Sequence, residues 1–286
     1  LNLPTMRLFP PTVIGGIVLP ARRAWPITGQ SPGHFRRFPV MKLLFVADLH
    51  YALKQFDWLL AEAEHYDLLA IGGDLLDLSS PLDIDVQILV VEKYLRKLRE
   101  KAPLLVSSGN HDGDCRSEAD ESVAGWIQEV KAEGLFVDGD SVELGGARVT
   151  VCPWWDGPVS RAELEMRLER EAESTGRGRC PWIWIHHAPP AGSPVCWTGK
   201  KFAGDEALRE WIDRFQPDMV FSGHIHNSPF YGEGAWVDRL GKTWVFNPGR
   251  QPGACPTHIS LDFATMSAEW ISMEGRSVRR LAVPDG

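Results

Sequence analysis

Met41-Lys42-Leu43-Leu44-Phe45-Val46-Ala47-Asp48-Leu49-His50 is a short apolar run that ends in a carboxylate and an imidazole. Such a run reads as a buried strand, and polar side chains at a strand end stand where sites form in open α/β sheets. The event recurs four times. Leu68 to Ile71 runs into Gly72-Gly73-Asp74, and Leu104 to Val106 into Gly109-Asn110-His111-Asp112. Trp182 to Ile185 leads to His187-Ala188-Pro189-Pro190, and Met219 to Phe221 to Gly223-His224-Ile225-His226.

Between and after these runs the pattern alternates. Phe56, Leu59, Leu60 and Ala63 recur at helical spacing, as do Ile88, Val91, Leu95 and Leu98. A third helix is predicted over about 119–132. A charged surface helix follows over 161–172, with Leu164 and Leu168 on one side, and Leu208, Trp211, Ile212 and Phe215 mark another. Residues 135–137, 141–144 and 147–152 read as a meander, 243–246 as a strand, and 257–263 with 267–273 as a final hairpin. Early βαβα alternation followed by β-rich segments predicts an α/β protein with mixed sheets and helices outside.

The chain has 286 residues, 44% of them hydrophobic, enough for one large core. Net charge is −8, but the first forty residues hold five Arg and no acid, so residues 41–286 carry 25 basic and 38 acidic side chains, or −13. Such a body repels nucleic acid at long range and argues against a dedicated binder. Residues 1–40 begin with Leu1 and contain seven prolines. They read as an extended or disordered extension, not necessarily native, ahead of a domain at 41–286 that would start naturally at Met41. A twin-arginine signal using Arg22-Arg23 is the other reading, but Ala-Trp-Pro follows the pair in place of an apolar stretch. Five cysteines without a paired spacing fit a reducing, cytoplasmic setting. No apolar run approaches the roughly 20 residues of a membrane span.

Histidine, carboxylate and amide oxygen together suit Mn, Zn, Fe or Ni better than Ca or Mg alone. Six of the nine histidines fall in the five motifs: His50, His111, His186, His187, His224 and His226. In extended chain, His224 and His226 point to one face. A cluster of this size is enough for two ions sharing a carboxylate, the arrangement used in hydrolytic phosphorus chemistry.

Taken in order, these motifs make residues 41–263 resemble the calcineurin-like metallophosphoesterase superfamily, and its small bacterial phosphodiesterases in particular. The resemblance implies a four-layer αββα sandwich of two mixed β-sheets flanked by helices. It implies two divalent or trivalent transition-metal ions, one held by Asp48, His50 and His226, the other by Asn110, His187 and His224, with Asp74 bridging. Metal-activated hydroxide would attack phosphorus in line. His111 would be general acid or transition-state donor, and Asp112 would orient a histidine or the loop. Of the adjacent His186 and His187, the His-x-Pro-Pro pattern selects His187; His186 would pack or support.

Asn247-Pro248-Gly249-Arg250 resembles a segment that trails the last histidines in many members. It reads either as a turn near the site or as a substrate contact, with Arg250 gripping phosphate in fork geometry. Trp154-Trp155, in a Pro/Gly loop, reads either as a wall of the substrate pocket or as a loop plug. Trp182 and Trp184 read as core, and Lys200, Lys201 and Arg239 as solvated. The Gly-Asp-x-Val-Asp-Arg-Gly signature of the protein serine/threonine phosphatases is missing, and Asp112 stands where they carry Glu. The expected activity is therefore hydrolysis of a small phosphoester, a diester in preference. The alternatives are a phosphomonoesterase or nuclease on the same site, a non-catalytic scaffold of this fold, and a hydrolase acting at carbon, for which no motif is found.

Overall fold

The computed structural model describes residues 13–14, 17–18, 41–174 and 180–281. The chain divides into two units, Leu1–Phe35 and Arg36–Gly286. In the first, Val13–Ile14 pairs antiparallel with Ile17–Val18. The expected extension at 1–40 otherwise lies outside the described residues.

The second unit contains, among the described residues, sheets of seven and six strands. The larger runs in the order Gly275–Arg280, Ser267–Ser272, His258–Asp262, Lys42–Val46, Leu68–Gly72, Leu104–Ser107, Leu135–Val137. Its last four strands are parallel, and the others antiparallel. The smaller runs Val237–Leu240, Thr243–Phe246, Met219–Phe221, Trp182–Ile185, Ala147–Val151, Ser141–Leu144, with its four central strands parallel.

Alternation along each strand builds the layers. Leu43, Phe45, Leu68, Ala70 and Leu105 face a core shared with Val149, Val151, Ile183, Ile185 and Phe221 of the smaller sheet. Leu44, Val46, Leu69, Ile71 and Val106 face the opposite way, onto Phe56 and Leu59 of helix Leu53–Glu62 and Val91 and Leu95 of helix Ile84–Lys101. Trp182, Trp184 and Val220 pack on Leu164 and Leu168 of helix Pro158–Ser174 and Leu208 and Trp211 of helix Glu206–Phe215. Helix, sheet, sheet, helix is the expected αββα sandwich, and Trp182 and Trp184 are core.

Parallel pairing then positions the site. Val46 is level with Ile71 and Ile71 with Val106 in one sheet, and Ile185 with Phe221 and Phe221 with Phe246 in the other. The motif-bearing loops therefore leave each sheet at a common level.

Four local expectations need correction. The helix expected over 119–132 is confined to Gly125–Glu129. Ser122–Val123 pairs instead with Cys115–Arg116, and Asp114 Oδ1 accepts from Gly125 N and Trp126 N, starting the helix late. The meander splits: Leu135–Val137 joins the larger sheet, while Ser141–Leu144 and Ala147–Val151 form a hairpin in the smaller. Asp140 accepts from Val137 N at 2.9 Å at the crossing. The final hairpin gains a third strand, Gly275–Arg280, and Val237–Leu240 is a strand not anticipated. Among the described residues no helix is long and apolar enough to cross a membrane.

Candidate metal centre

Five loops bring the motif residues together. Ligand-capable atoms of Asp48, His50, Asp74 and His226 lie within 4.8 Å of one another, and so do those of Asp74, His187 and His224. Asp74 belongs to both groups. Its Oδ2 lies 3.5 Å from His50 Nε2 and 3.2 Å from His187 Nε2, while Oδ1 accepts from His111 N at 2.9 Å. Asn110 Oδ1 lies 2.8 Å from His224 Nδ1, placing the amide with the second group.

The loops tolerate this density through backbone that ordinary residues avoid. Asp48, His50, Asp74 and His224 all have φ between 41° and 64°, a costly conformation that persists where surroundings over-determine it. Gly109 permits the closest approach, since a Cβ there would lie 2.2 Å from Asp74 Oδ1. Gly73, at φ +89, would drive a Cβ to 2.5 Å from His187 Nδ1.

The nitrogen atoms are disposed as ligands. His187 Nδ1 lies 2.7 Å from the Gly72 carbonyl and donates to it, so in the neutral ring Nε2 bears the lone pair. That Nε2 is buried and faces Asp74 Oδ2 at 3.2 Å. His50 Nε2 and His226 Nε2 face each other at 3.1 Å, although no more than one proton fits between them. Buried lone pairs converging on two carboxylates fit a pair of transition-metal cations.

Electrostatics point the same way. Burial opposes charge on His187, but Asp74 and Asp48 outweigh it and lift the imidazole to about 9. Burial alone would raise Asp74, yet the charge of His187 brings it well below the usual carboxylate range. Burial pushes His50 and His224 down to about 4 each. In the metal-free chain a proton on His187 thus offsets part of the charge of two buried carboxylates.

His111 stands at the margin, its side chain 23% exposed and its Nε2 4.0 Å from Asp74 Oδ2. Leu78 N donates to its Nδ1 at 3.3 Å, so in the neutral ring Nε2 carries the proton. Asp77, which sequence reading passed over, brings a carboxylate oxygen within 4.8 Å of ring nitrogens of His50 and His111. Its signal was a second acid three residues after Asp74. Asp112 is fully buried and accepts from Leu75 N, Leu76 N and Gly109 N at 2.8–3.0 Å, tying the Asp74 loop to the Asn110 loop. Burial, then the charge of Asp74, raises it to about 7. Its place is beneath the site, holding loops, and not among the reacting groups.

The expected substrate contacts separate. Asn247 is fully buried, its amide donating to Val195 O, Gly223 O and Ile225 O and its oxygen accepting from Gly249 N. It has no face for substrate; it shapes the His224–His226 loop. Arg250 is half-buried, and its Nε donates to Asp48 O at 2.9 Å. Trp154 lies with its ring 5.5 Å from that of His224 and 5.8 Å from that of His187, its backbone N–H donating to Ser108 Oγ. Trp155 turns away, stacked at 4.4 Å and 7° on buried His186 and edge-on to Trp211. The two indoles thus divide the two readings, Trp154 beside the site and Trp155 plugging the loop, while His186 packs.

Comparison with known proteins gives a family and a fold. The family model described as calcineurin-like phosphoesterase matches residues 41–228. The solved structure of the protein TT1561 from Thermus thermophilus overlaps with a TM-score of 0.53 at 16% identity, covering 84% of this chain and 99% of that one. A dimetal phosphatase from Danio rerio overlaps with a TM-score of 0.49 at 11% identity, over 83% and 96% of the two chains. The first of these likenesses is one of fold. No curated protein sequence matches the chain.

Proposed function

Because the chain belongs to the calcineurin-like phosphoesterase family and is a metal-dependent phosphoric ester hydrolase, we propose that it cleaves phosphodiesters in preference to monoesters. Asp48, His50 and His226 would hold one cation, Asn110, His187 and His224 another, and Asp74 both. The observation that carries the reading is the pair of donor groups sharing Asp74. Two cations held there would supply an activated water and neutralise charge at phosphorus. His111 Nε2–H then donates to the leaving oxygen, with Nδ1 fixed by the Leu78 amide. Arg250, anchored to the Asp48 carbonyl, keeps its guanidinium beside the metal ligands for a nonbridging oxygen. Trp154 provides an apolar wall for the ester group. A monoanionic diester also suits a body of charge −13 better than a dianionic monoester does. Five free cysteines fit a reducing compartment, and a cytoplasmic setting belongs to the same proposal.

The test is chelator-stripped protein reloaded with Mn, Zn, Fe or Ni separately and assayed on bis(p-nitrophenyl) phosphate and p-nitrophenyl phosphate. The diester should turn over faster with at least one ion. A reversed ratio overturns the diester preference, and no turnover with any ion leaves the scaffold reading.

A further inference from the structure

Beyond the metal ligand His226 the chain forms an aromatic and cationic edge that the hydrolytic reading does not use. Residues 197–202 make a small hairpin: Trp197 bridges Phe202 antiparallel, and Thr198 N donates to Lys201 O at 2.9 Å. Asn227, next to His226, donates from Nδ2 to Thr198 O at 3.3 Å. Gly199, at φ +88, lies against Tyr231, where a Cβ would be 3.2 Å from the ring. The hairpin is thus seated on the loop that carries His226.

Its exposed groups are of two kinds. Phe202 and Tyr231 are large aromatics left 51% and 50% exposed. Lys200 and Lys201 are exposed, and among the described residues neither ammonium has an acidic partner. Two cations on a hairpin held to the neighbour of His226 oppose the field of an acidic body. Exposed aromatic faces offer a stacking platform of the kind that planar bases use.

We propose that the Trp197–Phe202 hairpin, with Tyr231, is a subsite for the distal part of the substrate, and that this part is a nucleotide carrying a second phosphate. The inference rests on the phosphodiesterase reading and narrows it to esters of nucleoside diphosphate type. The lysines take the second phosphate as point charges, and the exposed rings take the base. An anionic membrane would be attracted by the same groups. Two lysines supply only about 1 kcal/mol each at such a surface, and recognition there uses about 4–8 of them. The acidic body opposes it further.

The experiment measures binding of ADP, AMP and inorganic pyrophosphate to metal-loaded full-length protein by calorimetry, beside turnover of bis(p-nitrophenyl) phosphate. In K200A/K201A, ADP should weaken about fivefold and AMP little, with turnover of the simple diester unchanged. The ADP effect should fade at high salt. In F202S, ADP should weaken about tenfold while pyrophosphate is held as before. Unchanged ADP binding in K200A/K201A overturns the proposal, as does equal loss of ADP and AMP. So does wild-type protein that sediments with phosphatidylserine vesicles through these lysines while ADP binding is indifferent to them. Absence of diester turnover in the wild type counts against the phosphodiesterase reading alone, since nucleotide binding is read without turnover.

Discussion

His111 is the residue at which ligand and catalyst part company. It shares its loop with Asn110, yet its Nδ1 is occupied by Leu78 N–H and its Nε2 stays 4.0 Å from Asp74. A donor so placed matters most when the leaving oxygen is basic. His111→Ala should lower kcat about 100- to 10,000-fold on a diester with an alkyl leaving group. The loss should be smaller for p-nitrophenolate, which departs without a proton. Metal content, measured by mass spectrometry, should be unchanged. Equal losses for both leaving groups would remove the proton-donor role. The residues that the structure gathers into the candidate site were legible in the sequence because imidazole, carboxylate and amide announce themselves at strand ends. What a polar group does with its hydrogen bonds was not. Asn247, read either as a turn near the site or as a substrate contact, spends its amide on backbone, and Asp112, expected to orient a histidine or the loop, accepts from the backbone of two loops. Asp77 was missed because its relation to His111 exists only across two loops.

At the scale of elements, most strands and the pair of mixed sheets were legible, but which sheet some strands join was not. Strands such as Leu68–Gly72, buried throughout, announce themselves as unbroken apolar runs. Leu135–Val137 and Ser141–Leu144 share a local appearance but join different sheets, a choice made by partners remote in the chain. The loop after Met219–Phe221 shows how an element is held once formed. Asn247, arriving from the adjacent strand Thr243–Phe246, donates to Gly223 O and Ile225 O, the carbonyls flanking His224, and to Val195 O. Asn247→Ala would take the donor from the buried Val195 and Ile225 carbonyls and the acceptor from Gly249 N–H, while Gly223 O keeps Ile225 N, at a cost of about 3 kcal/mol. Denaturant unfolding should show the lost stability, and dialysis against a chelator should strip metal from the variant faster than from the wild type. Unaltered metal retention would show that His224 and His226 keep their places without the amide.

For the whole molecule, loops from both sheets meet and concentrate buried charge there, so stability, pH and metal are linked. In the metal-free protein His187 stands near 9 against an ordinary 6.5. Its contribution is therefore whole below about 6.5 and is lost as pH rises through about 9. His50 and His224, near 4, act oppositely. Between about 4 and 6.5 the unfolded chain binds protons that these buried rings refuse, so stability climbs with pH in that window. The metal-free melting temperature should accordingly pass through a maximum near pH 6.5. Cations bound at these groups replace the His187 proton, so their affinity rises as pH rises. At about 100 times the dissociation constant, a bound ion adds about 2.7 kcal/mol, and that increment grows as proton competition falls. Melts of chelator-treated and Mn-loaded protein from pH 6 to about 8.5 should therefore diverge. A gap that stays constant or narrows over this range would show that the carboxylates of Asp48 and Asp74 do not share a proton with His187, and that the buried charge is balanced elsewhere in the fold.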